Sequence, residues 1–156
     1  MVKRGEGKVA QAGTQDAPPT DLRRGPAGRG DCQLETEPWV TAYRRKLKNT
    51  RMAHRQEAQR LAIELAASGA SKVILFGSVA QGQDSFSSDL DLVAITDSVR
   101  GVPFHQRIAD ALLRLNPSMQ TDLLIYTAEE WDGLCSCRRF VQEEILEKGV
   151  VLYERP

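Results

Sequence analysis

Cysteine is scarce in this chain, which has three, an odd number. A disulfide framework needs paired cysteines, so this count argues against one. Cys135 and Cys137, separated by one serine, also lack the further ligands that a zinc site needs at recognised spacings. We therefore predict a structural or incidental role for these two residues.

Long apolar runs are absent as well. No segment approaches the roughly 20 apolar residues that cross a bilayer, and the start of the chain lacks the apolar core of a signal peptide. These absences predict a soluble, cytoplasmic protein.

Aromatic residues are missing before Trp39, and this part of the chain differs from the rest. Residues 1–38 contain 6 of the 12 glycines and 4 of the 7 prolines. Such a segment buries too little apolar surface to offset its ordering entropy. We predict a disordered tail over 1–38 and one folded domain over 39–156.

Net charge is zero but unevenly distributed. Residues 1–60 hold 13 Lys and Arg against 7 Asp and Glu, whereas residues 61–156 hold 8 against 14. This balance by itself implies no nucleic-acid partner, and we do not expect one from it. A basic helix predicted over Trp39–Lys48 leaves open a solvated face, an RNA contact or a contact with an acidic protein surface.

The informative stretch runs from Val73 to Asp97. Val73–Phe76 is short, apolar and bounded by glycine, which predicts a buried strand. A break at Gly77-Ser78 and a polar loop follow, and a second apolar run then contains Asp89 and Asp91. Residues two apart on a strand share a face, so these two carboxylates point to one place.

Two neighbouring carboxylates repel each other unless a cation lies between them. Oxygen ligands of this kind select Mg²⁺ or Mn²⁺. The backbone N–H groups and the hydroxyl at Gly77-Ser78, just upstream, suit an anion. The pattern therefore predicts a site for a metal-bound triphosphate.

These residues resemble the signature of the polymerase-beta-like nucleotidyltransferases, in particular the minimal nucleotidyltransferase type. The resemblance covers about Met52 to Arg155, with Gln81 standing where many members have a basic residue. The matching positions are Gly77, Ser78, Ala80, Gly82, Ser88, Asp89, Asp91 and Leu92.

The resemblance implies an α/β fold with a small mixed sheet of three or four strands and helices packed on one side. It implies Asp89, Asp91 and Asp122 as catalytic and metal-binding residues, with Asp122 on a later strand. Gly77, Ser78 and Ser88 would contact the nucleotide, ATP or another NTP, in the presence of Mg²⁺ or Mn²⁺. The reaction would transfer a nucleoside monophosphate to a hydroxyl group and release pyrophosphate.

The acceptor stays open at this point. Resemblance to antitoxins paired with HEPN ribonuclease toxins implies AMP transfer to a toxin tyrosine, hence a protein partner. One alternative is a binding module that neutralises its partner by contact alone. Another is transfer to a small hydroxyl compound such as an aminoglycoside. A homo-oligomer is also compatible with the sequence.

The remaining pattern predicts helices, turns and strands around this motif. A helix over Arg51–Ser68 would begin at an Asn49 or Thr50 cap, and an amphipathic helix would follow Pro103 and end at Asn116. Thr127-Ala-Glu-Glu130 fits a capping box that would begin a further helix. Neither histidine has an evident catalytic partner, so we predict a surface position for His54 and neither a catalytic nor a metal-binding role for His105. The final apolar run, Val150–Tyr153, predicts a short edge strand.

Overall fold

The computed structural model describes residues 37–156. Almost all of the predicted tail, residues 1–38, lies outside this range. The elements, in chain order, are α1 (Pro38–Ala67), β1 (Lys72–Phe76), α2 (Gly77–Ala80), β2 (Leu90–Ile95), α3 (Phe104–Leu115), β3 (Thr121–Tyr126), α4 (Ala128–Cys137), a π-helix (Val141–Leu146) and β4 (Val150–Glu154).

The four strands form one mixed sheet in the order β3-β2-β1-β4. β1 pairs antiparallel with β2 and with β4, whereas β2 pairs parallel with β3. A parallel pair requires a crossover, and α3 supplies it between β2 and β3. The α/β class and the mixed four-stranded sheet agree with the sequence prediction. β4 also occupies an edge, as predicted.

Helices cover both faces of the sheet, which corrects the expectation of helices on one side. α1 and α3 pack on one face, where the inward residues of β2 are Leu90, Leu92 and Ala94. α4 and the π-helix pack on the other face through Trp131, Val141 and Ile145. The physical reason lies in β2, whose alternate residues Val93 and Ile95 are apolar too, so both faces need cover.

α1 is one helix of 30 residues, where the sequence analysis predicted two. The segment between the two predicted helices contains no proline or glycine to interrupt it. Thr50 does not cap a second helix, because its hydroxyl donates to the Lys46 carbonyl one turn earlier at 3.1 Å. The helix therefore continues through the predicted boundary.

Two other predicted helix boundaries are confirmed by local geometry. α3 ends at Asn116, which adopts a left-handed conformation with φ of 41°. α4 begins with a capping box, in which the Thr127 hydroxyl accepts from the Glu130 N–H and the Glu130 carboxylate accepts from the Thr127 N–H.

The described residues contain two cysteines, both free. No helix within residues 37–156 has the length and apolar character needed to cross a membrane.

A buried carboxylate ties α1 to the end of α3. Glu57 is 8% exposed and accepts from the Ser118 N–H at 2.7 Å and from two Arg60 guanidinium nitrogens at 2.9 and 2.6 Å. Arg60 in turn donates to the Leu115 carbonyl at 3.3 Å. The hydrogen bond from Arg60 is the main cause that lowers the pKa of Glu57 to about 2, against an ordinary 4.5.

This carboxylate predicts a defined loss of stability in acid. Because the folded-state pKa is depressed, its contribution is complete above the unfolded value and is lost as pH falls from about 4.5 to about 2. We expect Glu57→Gln to lower the free energy of unfolding by about 2 kcal/mol at pH 7 and far less near pH 2. Urea unfolding across this pH range measures the difference, with Glu129→Gln on exposed α4 as the control. A deficit that is independent of pH contradicts the prediction.

Candidate active site

β2 carries the first two predicted site residues into place. Its alternation sends Leu90 and Leu92 into the core beneath α1 and α3, so Asp91 lies on the opposite face with Val93. Asp89 immediately precedes the strand, and its negative charge contributes to the raised pKa of Asp91. The two acids therefore lie at the same end of the sheet.

Asp122 is brought to the same place by strand pairing. In the parallel register of β2 and β3, Asp91 is paired with Asp122. Paired residues of neighbouring strands project to the same face of a sheet. Asp122 is exposed and Asp91 half-buried, so both are open to solvent at this end of the sheet, which we call the rim.

Two neighbouring negative charges and partial burial act on Asp91. The pKa of Asp91 is raised, first by burial and then by the negative charges of Asp122 and Asp89. Within residues 37–156, no three His, Cys, Asp or Glu side chains converge closely enough to hold a metal ion in this conformation. Asp91 is therefore the central acid of the site, on which the charges of both Asp89 and Asp122 act.

Gly77 provides the space beside this central acid. Phe76 is paired with Asp91 across β1 and β2, and the chain turns immediately afterwards at Gly77, whose φ is +71°. A methyl group added at Gly77 would overlap Oδ2 of Asp91 and lie 3.0 Å from its Cγ. The glycine is thus required both by its left-handed backbone and by the carboxylate packed against it.

The two predicted serines occupy different surroundings. Ser78 lies half-buried in α2, and its carbonyl accepts from the Gln83 N–H at 2.9 Å, which closes the turn after α2. The Ser88 hydroxyl accepts from the Ser85 N–H at 2.8 Å. This bond shapes the loop between α2 and β2, residues 81–89, which we call the motif loop. Contact of either serine with a nucleotide stays a prediction.

Asp89 has one neighbour that the sequence analysis did not include in the site. The Gln120 side-chain amide donates to Oδ2 of Asp89 at 3.1 Å. Gln120 is two residues before Asp122, so the approach to β3 orients one acid and β3 supplies another.

A second set of residues, missed from the sequence, fixes the motif loop to α1. His54 is 4% exposed and its Nδ1 lies 2.7 Å from Oδ2 of Asp84, which is 3% exposed. Arg51 adds donations to the Asp84 carbonyl at 3.3 Å and an ion pair with its carboxylate at 3.4 Å. The loop between α2 and β2 is therefore held from its buried side.

The surface position predicted for His54 is wrong. His54 lies four residues before Ala58 and seven before Leu61, so it belongs to the inward stripe of α1. That spacing was readable in the sequence. Its partner Asp84 was not, because the two residues are 30 positions apart. His105, by contrast, is exposed on α3.

Comparison with known proteins identifies the family of the chain. The model of the polymerase beta nucleotidyltransferase family matches residues 66–156, more than half of the chain. The chain belongs to this family of nucleotidyltransferases.

Two solved structures are similar to the chain. A candidate nucleotidyltransferase from Sulfolobus solfataricus has 18% sequence identity and a TM-score of 0.51, with 69% of this chain and 86% of that chain covered. This likeness supports the fold. A toxin–antitoxin structure with AMP-PNP has 18% identity and a TM-score of 0.40, with 62% of this chain and 73% of that chain covered. No curated protein matches.

The contact between Gly77 and Asp91 predicts different results for two glycine substitutions. Gly77→Ala and Gly82→Ala both place alanine at positive φ, of +71° and +69°, but only Gly77 has a neighbour in the way. We expect about 1–2 kcal/mol lost in Gly82→Ala from backbone strain and about 1–3 kcal/mol more in Gly77→Ala from overpacking. Urea unfolding measures both.

A double-mutant cycle assigns the extra loss to the carboxylate. Adding Asp91→Ala to Gly77→Ala should remove most of the excess, since the overlapping atoms are gone. Equal losses in the two single glycine variants, or an excess that persists in the double variant, contradict this packing.

The Asp84 anchor predicts loosening confined to the motif loop. Asp84→Ala leaves His54 buried without its partner, so we expect a loss of about 2–4 kcal/mol in the free energy of unfolding. Backbone amides of residues 82–88 should exchange faster with solvent, whereas those of β1 and β2 keep their order of protection. Asp132→Ala, at an exposed acid on α4, is the control. Unchanged exchange over 82–88 would show that the anchor does not hold the loop.

Proposed function

We propose that this protein transfers a nucleoside monophosphate, AMP from ATP in the first instance, to a hydroxyl acceptor and releases pyrophosphate. The observation that carries the proposal is the register of β2 with β3, which pairs Asp91 with Asp122 beside Asp89. Membership of the nucleotidyltransferase family supports the reaction class. Catalysis itself, the nucleotide and the acceptor are parts of this proposal.

The carboxylate oxygens are donors of the chemical type that a hard divalent cation takes, although the three side chains do not converge closely enough to hold one in the described conformation. Asp91 combines a raised pKa with two acidic neighbours, an arrangement that a bound cation would relieve. Asp89, Asp91 and Asp122 are the residues that would hold Mg²⁺, with Mn²⁺ as a substitute. When bound, such ions neutralise phosphate charge and stabilise in-line displacement at phosphorus.

The residues of the chain would bind and orient the reactants. Gly77, which has no side chain, leaves room for the Asp91 carboxylate against its backbone. The Ser78 hydroxyl and the backbone N–H groups of Gly77 and Ser78 would bind phosphate oxygens of the triphosphate. Ser88, at the end of the motif loop, would support that contact. Asp122, exposed at the rim, is available to the incoming hydroxyl and can accept its proton.

The proposed step is balanced. The acceptor oxygen forms a bond to the α-phosphorus, and the bond from that phosphorus to the oxygen bridging to the β-phosphate breaks. Pyrophosphate leaves with that bridging oxygen, and the hydroxyl proton passes to Asp122 or to water. Most of the rate advantage would come from orientation and charge stabilisation.

For the acceptor we propose a protein hydroxyl, specifically a tyrosine of a HEPN-type toxin, which would make this chain an antitoxin. The motif resemblance described above supports this choice of acceptor. An antitoxin that acts by contact alone would not need the three acids, and the experiment below separates the two functions.

We expect label from α-³²P-ATP to be transferred, with Mg²⁺ present, to the toxin-like product of an adjacent gene. Asp89→Asn/Asp91→Asn should reduce transfer at least a hundredfold, because the charges that bind the cation are removed while size and fold are kept. Asp97→Asn/Asp132→Asn, two exposed acids away from the rim, is the matched control. Neutralisation of the partner that survives in the Asp89→Asn/Asp91→Asn variant, without transfer of label, would support contact alone and overturn the proposed catalysis.

A further inference from the structure

The first half of α1 extends beyond the packed body of the domain. Buried residues of this helix begin at His54. The residues before it, Pro38–Ala53, would extend roughly 24 Å at the usual helical rise. We call this stretch and the three residues after it, Pro38–Gln56 in all, the α1 arm.

The α1 arm ends beside the motif loop. A short turn connects the other end of α1 to β1, so the helix and the strand run in opposite directions and the arm reaches the end of β1 where Gly77 lies. Contacts of Arg51 with Asp84 and of Tyr43 with Phe86 place it against the loop directly. A ligand on the arm would therefore lie at the same end of the sheet as the candidate active site.

The charge of the arm is of one sign. It contains six basic residues and no acidic one, a density that the zero net charge of the whole chain conceals. Arg45, Lys46, Lys48 and Arg55 are exposed, whereas Arg51 is committed to Asp84. A run of this kind attracts polyanions.

Aromatic rings lie among these cations. Tyr43 and Phe86 meet edge to face with centroids 5.4 Å apart, and Lys46 Nζ lies 5.4 Å from the Phe86 centroid. Trp39, Tyr43 and Phe86 are 57%, 49% and 41% exposed, although large apolar side chains of this size are usually covered. Ring faces interleaved with cations are the surface on which successive nucleobases stack while the phosphates are neutralised.

We propose that the α1 arm, together with Phe86, binds single-stranded nucleic acid. An acidic protein surface is the alternative occupant, and cations without an acid along one helix, with Lys46 over the Phe86 ring, favour a nucleic acid because it offers phosphates and ring faces together. The acids of the site do not oppose this binding directly. Asp91 projects from the face of the sheet opposite to α1, with Val93 rather than with Leu92.

Fluorescence anisotropy tests the proposal with the full chain and a labelled single-stranded RNA of about twenty nucleotides, without nucleotide or metal. We expect binding in the micromolar range that weakens as salt rises. Arg45→Gln/Lys48→Gln should flatten the slope of log K against log salt by about 1.4, since each lost phosphate contact removes about 0.7. Arg114→Gln/Arg138→Gln, an equal charge change on α3 and after α4, should leave the slope as it is.

The aromatic part of the surface has its own test. Phe86→Ala should weaken binding about tenfold through lost stacking, and Phe86→Trp should restore it. Circular dichroism and urea unfolding of each variant check that the fold is retained. If the alanine variant is folded, a role of Phe86 in folding alone would not explain the loss of binding and its rescue by tryptophan.

The outcomes separate this proposal from the proposed catalysis. Asp89→Asn/Asp91→Asn should bind the RNA as the wild type does, so loss of transfer in that variant leaves the arm unaffected. Equal salt slopes in the arm variant and its control would overturn the proposal. Competition by polyglutamate as strong as competition by unlabelled RNA would overturn it too, in favour of an acidic protein partner.

Discussion

The parallel pairing of β2 with β3 is the constraint on which the candidate site depends. It places Asp91 opposite Asp122 although they are 31 positions apart in the chain. The crossover through α3 makes the parallel direction possible. The core fixes the register, because a slip of one residue would turn Asp91 into the apolar face beneath α1 and α3. The position of the acids therefore follows from the packing of the core.

α1 links this core to the motif loop and to the proposed nucleic-acid surface. Its second half contributes Leu61 and Leu65 to the core, its middle holds Asp84 through His54, and its first half presents cations and rings to solvent. One continuous helix can join these regions rigidly, which two helices separated by a cap would not do. A partner bound on the α1 arm would thus be connected, through the contacts of the arm, to the loop that leads to Asp89.

Local patterns predicted much of this structure. The strand before Gly77 and the Thr127 capping box depend on neighbouring residues, and both agree with the structure. The family resemblance, which the family comparison confirms, suggested Asp122. The catalytic and metal-binding roles of these residues stay predictions.

Two of the errors have their origin in contacts distant along the chain, and one has a local origin. The pairing of His54 with Asp84 could not be read from either residue alone, and the cover of both sheet faces depends on where α4 folds back. The boundary near Thr50 failed because a threonine can bond to the preceding turn as well as cap a new helix. Periodicity identifies the buried side of an element but does not identify its partner.

The sheet holds the three acids with unequal stability. β2 lies between two partner strands, whereas β3 is an edge strand that pairs with β2 alone among the described residues. An edge strand can separate in a partial opening that costs less than global unfolding. Asp122 would then detach while Asp89 and Asp91 stay together on an intact β1–β2 ladder. Fluctuation of this edge would interrupt the approach of an acceptor before it disturbed the hold on a nucleotide.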